Sequence, residues 1–143
     1  MGDQNSIQST DPRYVKGAIS FPPDRNPFHV YLSRLSKGSR PTMKESLQAI
    51  TRIASGGRLE PERFPWHLLR YSHVQAIRTH LTETISERSG TPLSPATINK
   101  TLSALRGVLK EAWRLGLMSA EDLARAVDIE PVRGSRPLTE EGS

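Results

Sequence analysis

Cysteine is absent from this 143-residue sequence, and aromatic residues make up only 6% of it. Without cysteine the chain has no disulfide scaffold, no thiol nucleophile and no thiolate metal site. No apolar run approaches the roughly 18 residues that a membrane helix needs. The first ten residues also lack the basic flank and the apolar stretch of a secretory signal. We therefore expect a cytoplasmic protein with a modest core and no association with membranes.

Residue sets that could carry catalysis or hold a metal are also scarce. The sequence contains no phosphate-binding glycine loop and no nucleophile elbow. Its histidines are His29, His67, His73 and His80, and no carboxylate or third ligand accompanies the last two at metal spacing. We predict no metal site, no cofactor and no catalytic residue within this chain.

The net charge of +5 is unevenly distributed along the sequence. Residues 40–114 hold twelve basic and six acidic side chains, a net charge of +6, whereas residues 115–143 hold three basic and six acidic ones, a net charge of −3. A basic excess concentrated in one part of the chain is typical of proteins that bind nucleic acid. The alternative is a solvated surface that is basic without having an anionic partner.

Apolar spacing and capping residues predict an all-α fold, a compact bundle of four long helices plus one short C-terminal helix. The first predicted helix begins at Asn26-Pro27 and is closed by Ser36-Lys37-Gly38-Ser39. The second runs from Pro41 or Thr42 to Ser55, the third from about Ser72 to Ser89, and the fourth from Ser94-Pro95 to Leu115. A short fifth helix is capped by Ser119. Residues 1–25 are predicted to be a mobile leader, residues 26–130 the helical domain, and residues 131–143 a linker.

Two polar helix faces predict contacts with double-stranded DNA. A helix in the major groove needs short polar side chains near its N-terminus and longer cations further along. The predicted DNA-binding residues are Arg40, Thr42, Lys44, Gln48 and Arg52 of the second helix, and Ser94, Thr97, Asn99, Lys100, Ser103, Arg106 and Lys110 of the fourth. Asn99 and Arg106 are expected to read bases, whereas Lys100 and Lys110 are expected to hold phosphates. The alternative is that both faces are ordinary solvated surfaces.

The stretch SPATINKTLSALRGVLKEAWRLGLM resembles the core-binding domain of tyrosine recombinases, the phage-integrase family. The family pattern of a capped helix followed by an aromatic residue and a glycine turn is met by Ser94, Thr97, Ile98, Asn99, Leu102, Ser103, Leu105, Arg106, Trp113 and Gly116. The resemblance covers roughly residues 26–141, and RPLTEE is similar to the opening of the family's catalytic domain. The sequence departs from the pattern at MSAEDLARAV, where many relatives have Asn-Pro.

The resemblance implies a SAM-like core-binding domain that clamps duplex DNA during integration or recombination, with other recombinase protomers as partners on the DNA. The family's catalytic residues lie in a domain that would follow this chain. His67 and Arg70 have the spacing of the family's His-x-x-Arg pair, but they align with a connection between helices, and Tyr71 is adjacent to them. We therefore expect this chain to bind DNA without cutting it. The alternatives are a complete helical DNA-binding regulator or accessory protein, and a helical protein-interaction module.

Overall fold

The computed structural model describes residues 17–134, which form five α-helices and no strand. The helices are α1 (Pro27–Ser33), α2 (Arg40–Ser55), α3 (Tyr71–Thr82), α4 (Pro95–Arg114) and α5 (Ala120–Ala126), and short 3₁₀ turns lie at Pro23–Arg25, Pro61–Arg63 and Trp66–Leu68. This confirms the predicted all-α class. Within the described range, no helix has the length and apolar character that crossing a membrane would require.

Local capping interactions fix several helix ends where the sequence predicts them. The side chains of Asn26, Ser94 and Ser119 accept hydrogen bonds from backbone N–H groups at the starts of α1, α4 and α5, at 3.0, 3.1 and 3.0 Å. These bonds satisfy donors that a helix N-terminus otherwise leaves free. Gly56 follows α2 with a φ of 65°, a left-handed conformation that glycine adopts at low cost and that ends the helix.

Helix α4 lies at the centre of the domain, because it packs against each of the other four helices and against the Trp66–Leu68 turn. Its apolar residues recur at spacings of three and four, and they are buried along its whole length: Ile98, Leu102, Leu105, Leu109 and Ala112. The ring of Trp66 packs edge-to-face on Phe64 with centroids 4.7 Å apart, and its Nε1 donates a hydrogen bond to the Pro61 carbonyl at 2.9 Å. This satisfies the one polar atom of a fully buried indole.

Two of the predicted helices are shorter than expected. Helix α1 has seven residues and ends at Ser33, so the domain has three long helices and two short ones instead of four and one. Helix α3 ends at Thr82 instead of Ser89. Ile85, which the helical spacing places in the core, is 56% exposed.

Hydrogen bonds of the residues after α3 explain its early end. The Thr84 hydroxyl donates to the His80 carbonyl at 2.8 Å. The backbone N–H groups of Ser86 and Leu93 then donate to Thr91 and Thr84 at 2.7 and 3.2 Å, which folds residues 84–93 back on themselves. Threonine, serine and isoleucine are weak helix formers, because their side chains lose rotamer freedom or compete for backbone hydrogen bonds.

Both ends of the described range contact the rest of the domain. The Ile19 N–H donates to the Arg63 carbonyl at 2.9 Å, and the Phe21 ring lies 5.7 Å from the His67 ring. At the other end, Val132 is partly buried against the core. Residues 17–25 of the predicted leader and residues 131–134 of the predicted linker therefore touch the helical domain. The rest of the leader and the RPLTEE motif lie outside the described residues.

Candidate nucleic-acid interface

The exposed surface of α4 carries cations that are not neutralised within the domain. Lys100, Ser103 and Lys110 are exposed, and their side chains have no hydrogen-bond or ion-pair partner among residues 17–134. The only carboxylate in the sequence of α4 is Glu111, which is 5% exposed. The outward face of this helix therefore presents positive charge without interleaved acidic groups.

Glu111 is buried because two arginines neutralise it. Its Oε2 lies 3.1 Å from Nε of Arg34, at the end of α1, and 2.8 Å from Nη1 of Arg114, one turn further along α4. The ion pair with Arg34 joins α1 to α4, and Arg114 donates a charge-assisted hydrogen bond to the same oxygen. The spacing of Glu111 and Arg114 is visible in the sequence, but nothing in the sequence pairs Glu111 with Arg34.

Helix α2 packs against α4 and adds further polar groups. Lys44 and Arg52 are exposed, Gln48 is half-buried, and their side chains have no partner within the described range. Arg40 behaves differently, since its Nε and Nη2 donate to the carbonyls of Leu35 and Ser33 at 3.1 and 3.3 Å and cap the end of α1.

Thr42 lies away from the line of basic residues on α2. It is exposed, but it is about 160° around the helix from Lys44. The five predicted DNA-binding residues of α2 therefore fall into three groups. Lys44, Gln48 and Arg52 share one side of the helix and have no partner in the described range. Arg40 caps α1, and Thr42 lies on another side of the helix.

Ser94 and Thr97 form the N-terminal cap of α4. The Ser94 hydroxyl accepts from the Thr97 N–H at 3.1 Å and donates to the Thr97 hydroxyl at 3.0 Å. Both residues are exposed. Their primary role in the structure is therefore to begin the helix that carries Lys100 and Ser103.

Asn99 holds the segment that follows α5, residues 127–134, which we call the C-terminal strap. The Asn99 Nδ2 donates to the Val132 carbonyl at 2.9 Å, and the Val132 N–H donates to Asn99 Oδ1 at 2.8 Å. This uses the paired donor and acceptor with which an asparagine would recognise adenine. The assignment of Asn99 to base reading remains a prediction, and it requires the strap to release the amide.

Two arginines hold the strap alongside Asn99. Arg106 donates from Nη2 to the Ile129 carbonyl at 3.0 Å and from Nε to the Val127 carbonyl at 3.5 Å. Arg78 of α3 donates to the carbonyls of Glu130 and Pro131, at 2.7 and 3.1 Å. The seven-residue spacing of Asn99 and Arg106 shows that they lie on one line of α4. Arg78 has no signal in the sequence, because no local pattern links it to a segment more than fifty residues later.

His67 and Arg70 belong to a structural joint between α3 and α5. The Arg70 guanidinium donates to the carbonyls of His67 and Leu69 at 3.0 and 2.9 Å and lies 3.4 Å from an oxygen of Asp122. Nδ1 of His73 accepts a hydrogen bond from the Arg70 N–H at 2.9 Å. Burial, and then the positive charge of Arg70, lower the pKa of both His67 and His73. Among the described residues, no group of three or more histidine, aspartate or glutamate side chains could hold a metal ion.

Comparison of the chain with protein-family models, with curated proteins and with solved structures found no match. The resemblance to tyrosine recombinases therefore depends on sequence motifs, chiefly the one around α4. The DNA-binding hypothesis depends on the surface just described.

Proposed function

We propose that this chain binds duplex DNA with a surface formed by α2 and α4. We call it the α2–α4 face, and its members are Lys44, Gln48, Arg52, Lys100, Ser103 and Lys110. The observation that carries the proposal is that the exposed positive charges of α4 are not neutralised by other described residues. Its exposed lysines have no partner among residues 17–134, and its one carboxylate is buried and neutralised. Phosphates on a DNA backbone are the natural partners of such a surface.

The spacing on α4 suits a duplex. Lys100 and Lys110 are separated by ten residues, which is about 15 Å along a helix axis. The major groove is about 12 Å wide, so the two lysines can reach phosphates on opposite sides of it. Ser103 lies between them and is short enough to let the helix approach the groove closely. The face can therefore hold the backbone on both sides while α4 lies across the groove.

The motif around α4 supports a narrower form of the proposal. In that form, the chain is the SAM-like core-binding domain of a site-specific tyrosine recombinase, acting in the cytoplasm with other recombinase protomers on the DNA. The apolar motif positions Ile98, Leu102 and Leu105 are buried, and Ser94 caps the helix. These positions explain why the motif forms a central helix. The lysines of the α2–α4 face support the DNA contact itself.

Titration of a fluorescent duplex, followed by anisotropy at about 50 and 200 mM salt, tests the proposal. The face carries four cations, which should together contribute about −3.6 to the slope of log Kobs against log salt. The double variant Lys100→Gln/Lys110→Gln should lower its magnitude by about 1.8. Arg63→Gln is the matched control, because Arg63 is exposed, has no side-chain partner in the described range and lies between α2 and α3.

Three results would contradict the proposal: no binding, binding that does not respond to salt, and equal losses in the double variant and the control. Specific binding to an acidic peptide in place of the duplex would favour a protein-interaction module. If this chain alone showed the full sequence-specific activity of a regulator, that result would favour a complete DNA-binding regulator over a recombinase domain.

A further inference from the structure

The C-terminal strap carries a cation to the first turn of α4. Val132 is fixed by the two hydrogen bonds from Asn99. Two residues later the chain lies beside the start of the helix, because a Cβ at Gly134 would be 3.8 Å from Cγ of Pro95. Arg133 therefore lies between Val132, which Asn99 holds, and Gly134, which is beside Pro95. Its side chain is exposed and has no hydrogen-bond or ion-pair partner among residues 17–134.

Charge changes sign along the strap. Asp128 and Glu130 are exposed at the end nearer α5, and the Glu130 carbonyl is held by Arg78 of α3. Arg133 lies at the other end, next to α4. The N-terminus of a helix carries a partial positive charge, which adds to the potential around Arg133. Arg106 of α4 holds the carbonyls on either side of Asp128, whereas Arg133 lies beside the first turn of α4. The acidic groups and the one cation of the strap therefore lie at different positions along that helix.

We propose that Arg133 contacts a DNA phosphate beside the N-terminus of α4 and that Asn99 is the residue that positions it. This inference rests on the proposed function and extends the α2–α4 face by one residue that belongs to no helix. Asn99 fixes the backbone next to Arg133 before binding. The DNA therefore does not have to order the strap, and only the side chain of Arg133 loses conformational freedom on binding. In this arrangement Asn99 acts on affinity through Arg133, because Val132 occupies the amide groups that base reading would need.

Salt titrations of the same fluorescent duplex test the role of Arg133. Arg133→Gln should reduce the magnitude of the log Kobs against log salt slope by about 0.9, the value for one phosphate contact. Arg133→Lys should restore most of the slope, since a lysine also binds phosphate. Arg63→Gln, which removes the same charge elsewhere, should leave the slope unchanged. If the wild type binds and Arg133→Gln equals Arg63→Gln, the inference fails while the proposed function stands. If the wild type does not bind, both fail.

A double-mutant cycle tests the positioning role of Asn99. Asn99→Ala should weaken binding when Arg133 is present and should have no further effect in the Arg133→Gln background. An equal loss in both backgrounds would show that Asn99 contacts DNA directly, which would overturn its role as a positioning residue. Circular dichroism of each variant at the titration temperature establishes that the helices are retained. The hydrogen exchange of the Val132 amide reports release of the strap separately from DNA affinity.

Discussion

The side-chain amide of Asn99 and the backbone of Val132 form a reciprocal pair, with N···O distances of 2.9 and 2.8 Å across a separation of 33 residues. This pair joins the central helix to the segment that leaves the domain. Arg106 and Arg78 extend the connection toward α5, because they hold the carbonyls of strap residues between 127 and 131. The strap is therefore held by polar side chains of two helices as well as by the burial of Ile129.

Replacing Asn99 should release the strap at its C-terminal end. Asn99→Ala removes two half-buried hydrogen bonds, each of which contributes about 0.5–1.5 kcal/mol, so the free energy of unfolding should fall by about 1–3 kcal/mol. Ser103→Ala is the matched control, since Ser103 is an exposed residue of the same helix with no partner in the described range. Chemical denaturation measures both variants. Equal stability of the two would contradict the structural role of the pair.

The buried carboxylate of Glu111 should contribute to stability through its charge. Glu111→Gln keeps the shape of the side chain but weakens the contacts with Arg34 and Arg114. We expect a loss of about 1–2 kcal/mol, since hydrogen bonds to charged groups are worth about 1.5–3 kcal/mol and glutamine keeps an acceptor. Glu121→Gln breaks an exposed pair with Arg125, and this change should stay within about 0.5 kcal/mol. Similar thermal unfolding of the two variants would contradict this difference.

Gly107 lets α1 approach α4. A Cβ at position 107 would lie 2.9 Å from Cδ1 of Tyr31 and closer still to its Cε1. Gly107→Ala gains about 1 kcal/mol of helix propensity, but overpacking costs about 1–3 kcal/mol, so the net effect should be a loss of up to about 2 kcal/mol. In a Tyr31→Ala background the same change should become stabilising. Denaturation of the four members of this cycle tests the contact, and additive effects would contradict it.

The sequence predicts the parts of the fold that depend on local interactions. Ser94 and Pro95 begin α4 through bonds within one turn, and the spacing of Ile98 and Leu102 correctly predicts its buried side. The end of α3 was predicted wrongly, because Ile85 continues the apolar spacing from Leu81 while the decisive hydrogen bonds come from Thr84 and the residues beyond it. Local hydrogen bonding outweighed the apolar pattern there.

The candidate site could be predicted only in part, for a related reason. Lys100 and Lys110 are exposed, as helical periodicity predicts. Asn99 and Arg106 belong to the same stripe, but their partners are 33 and 23 residues away in the sequence. Whether a polar residue on a helix faces solvent or holds another segment depends on where that segment runs, and periodicity does not contain this information.

Acidification should weaken the joint between α3 and α5. The pKa of His73 is lowered from its ordinary value of 6.5 by burial and by Arg70, so folding favours the neutral ring, which accepts the hydrogen bond from the Arg70 N–H. The unfolded chain binds the proton more readily. This contribution to stability is therefore full above pH 6.5 and is lost as the pH falls through the lower folded pKa.

The variant His73→Gln separates this titration from the cap itself. Glutamine is the ordinary capping-box residue at this helix position and keeps an acceptor for the Arg70 N–H. Between about pH 7 and pH 5, the range that brackets the ordinary histidine pKa, the free energy of unfolding should decline less in His73→Gln than in the wild type. Identical pH profiles of the two proteins would show that His73 does not supply this dependence.

Nuclear magnetic resonance titration of the labelled chain with a duplex tests the central claim most directly, because it locates the contact surface residue by residue. We expect the largest changes at the exposed positions of α4 around Lys100, Ser103 and Lys110, and on α2 around Lys44 and Arg52. We expect little change at Arg63 or on α5, where Glu121 and Asp122 repel phosphate. Changes centred on α5 or around Arg63, with the lysine signals of α4 unaffected, would contradict this claim.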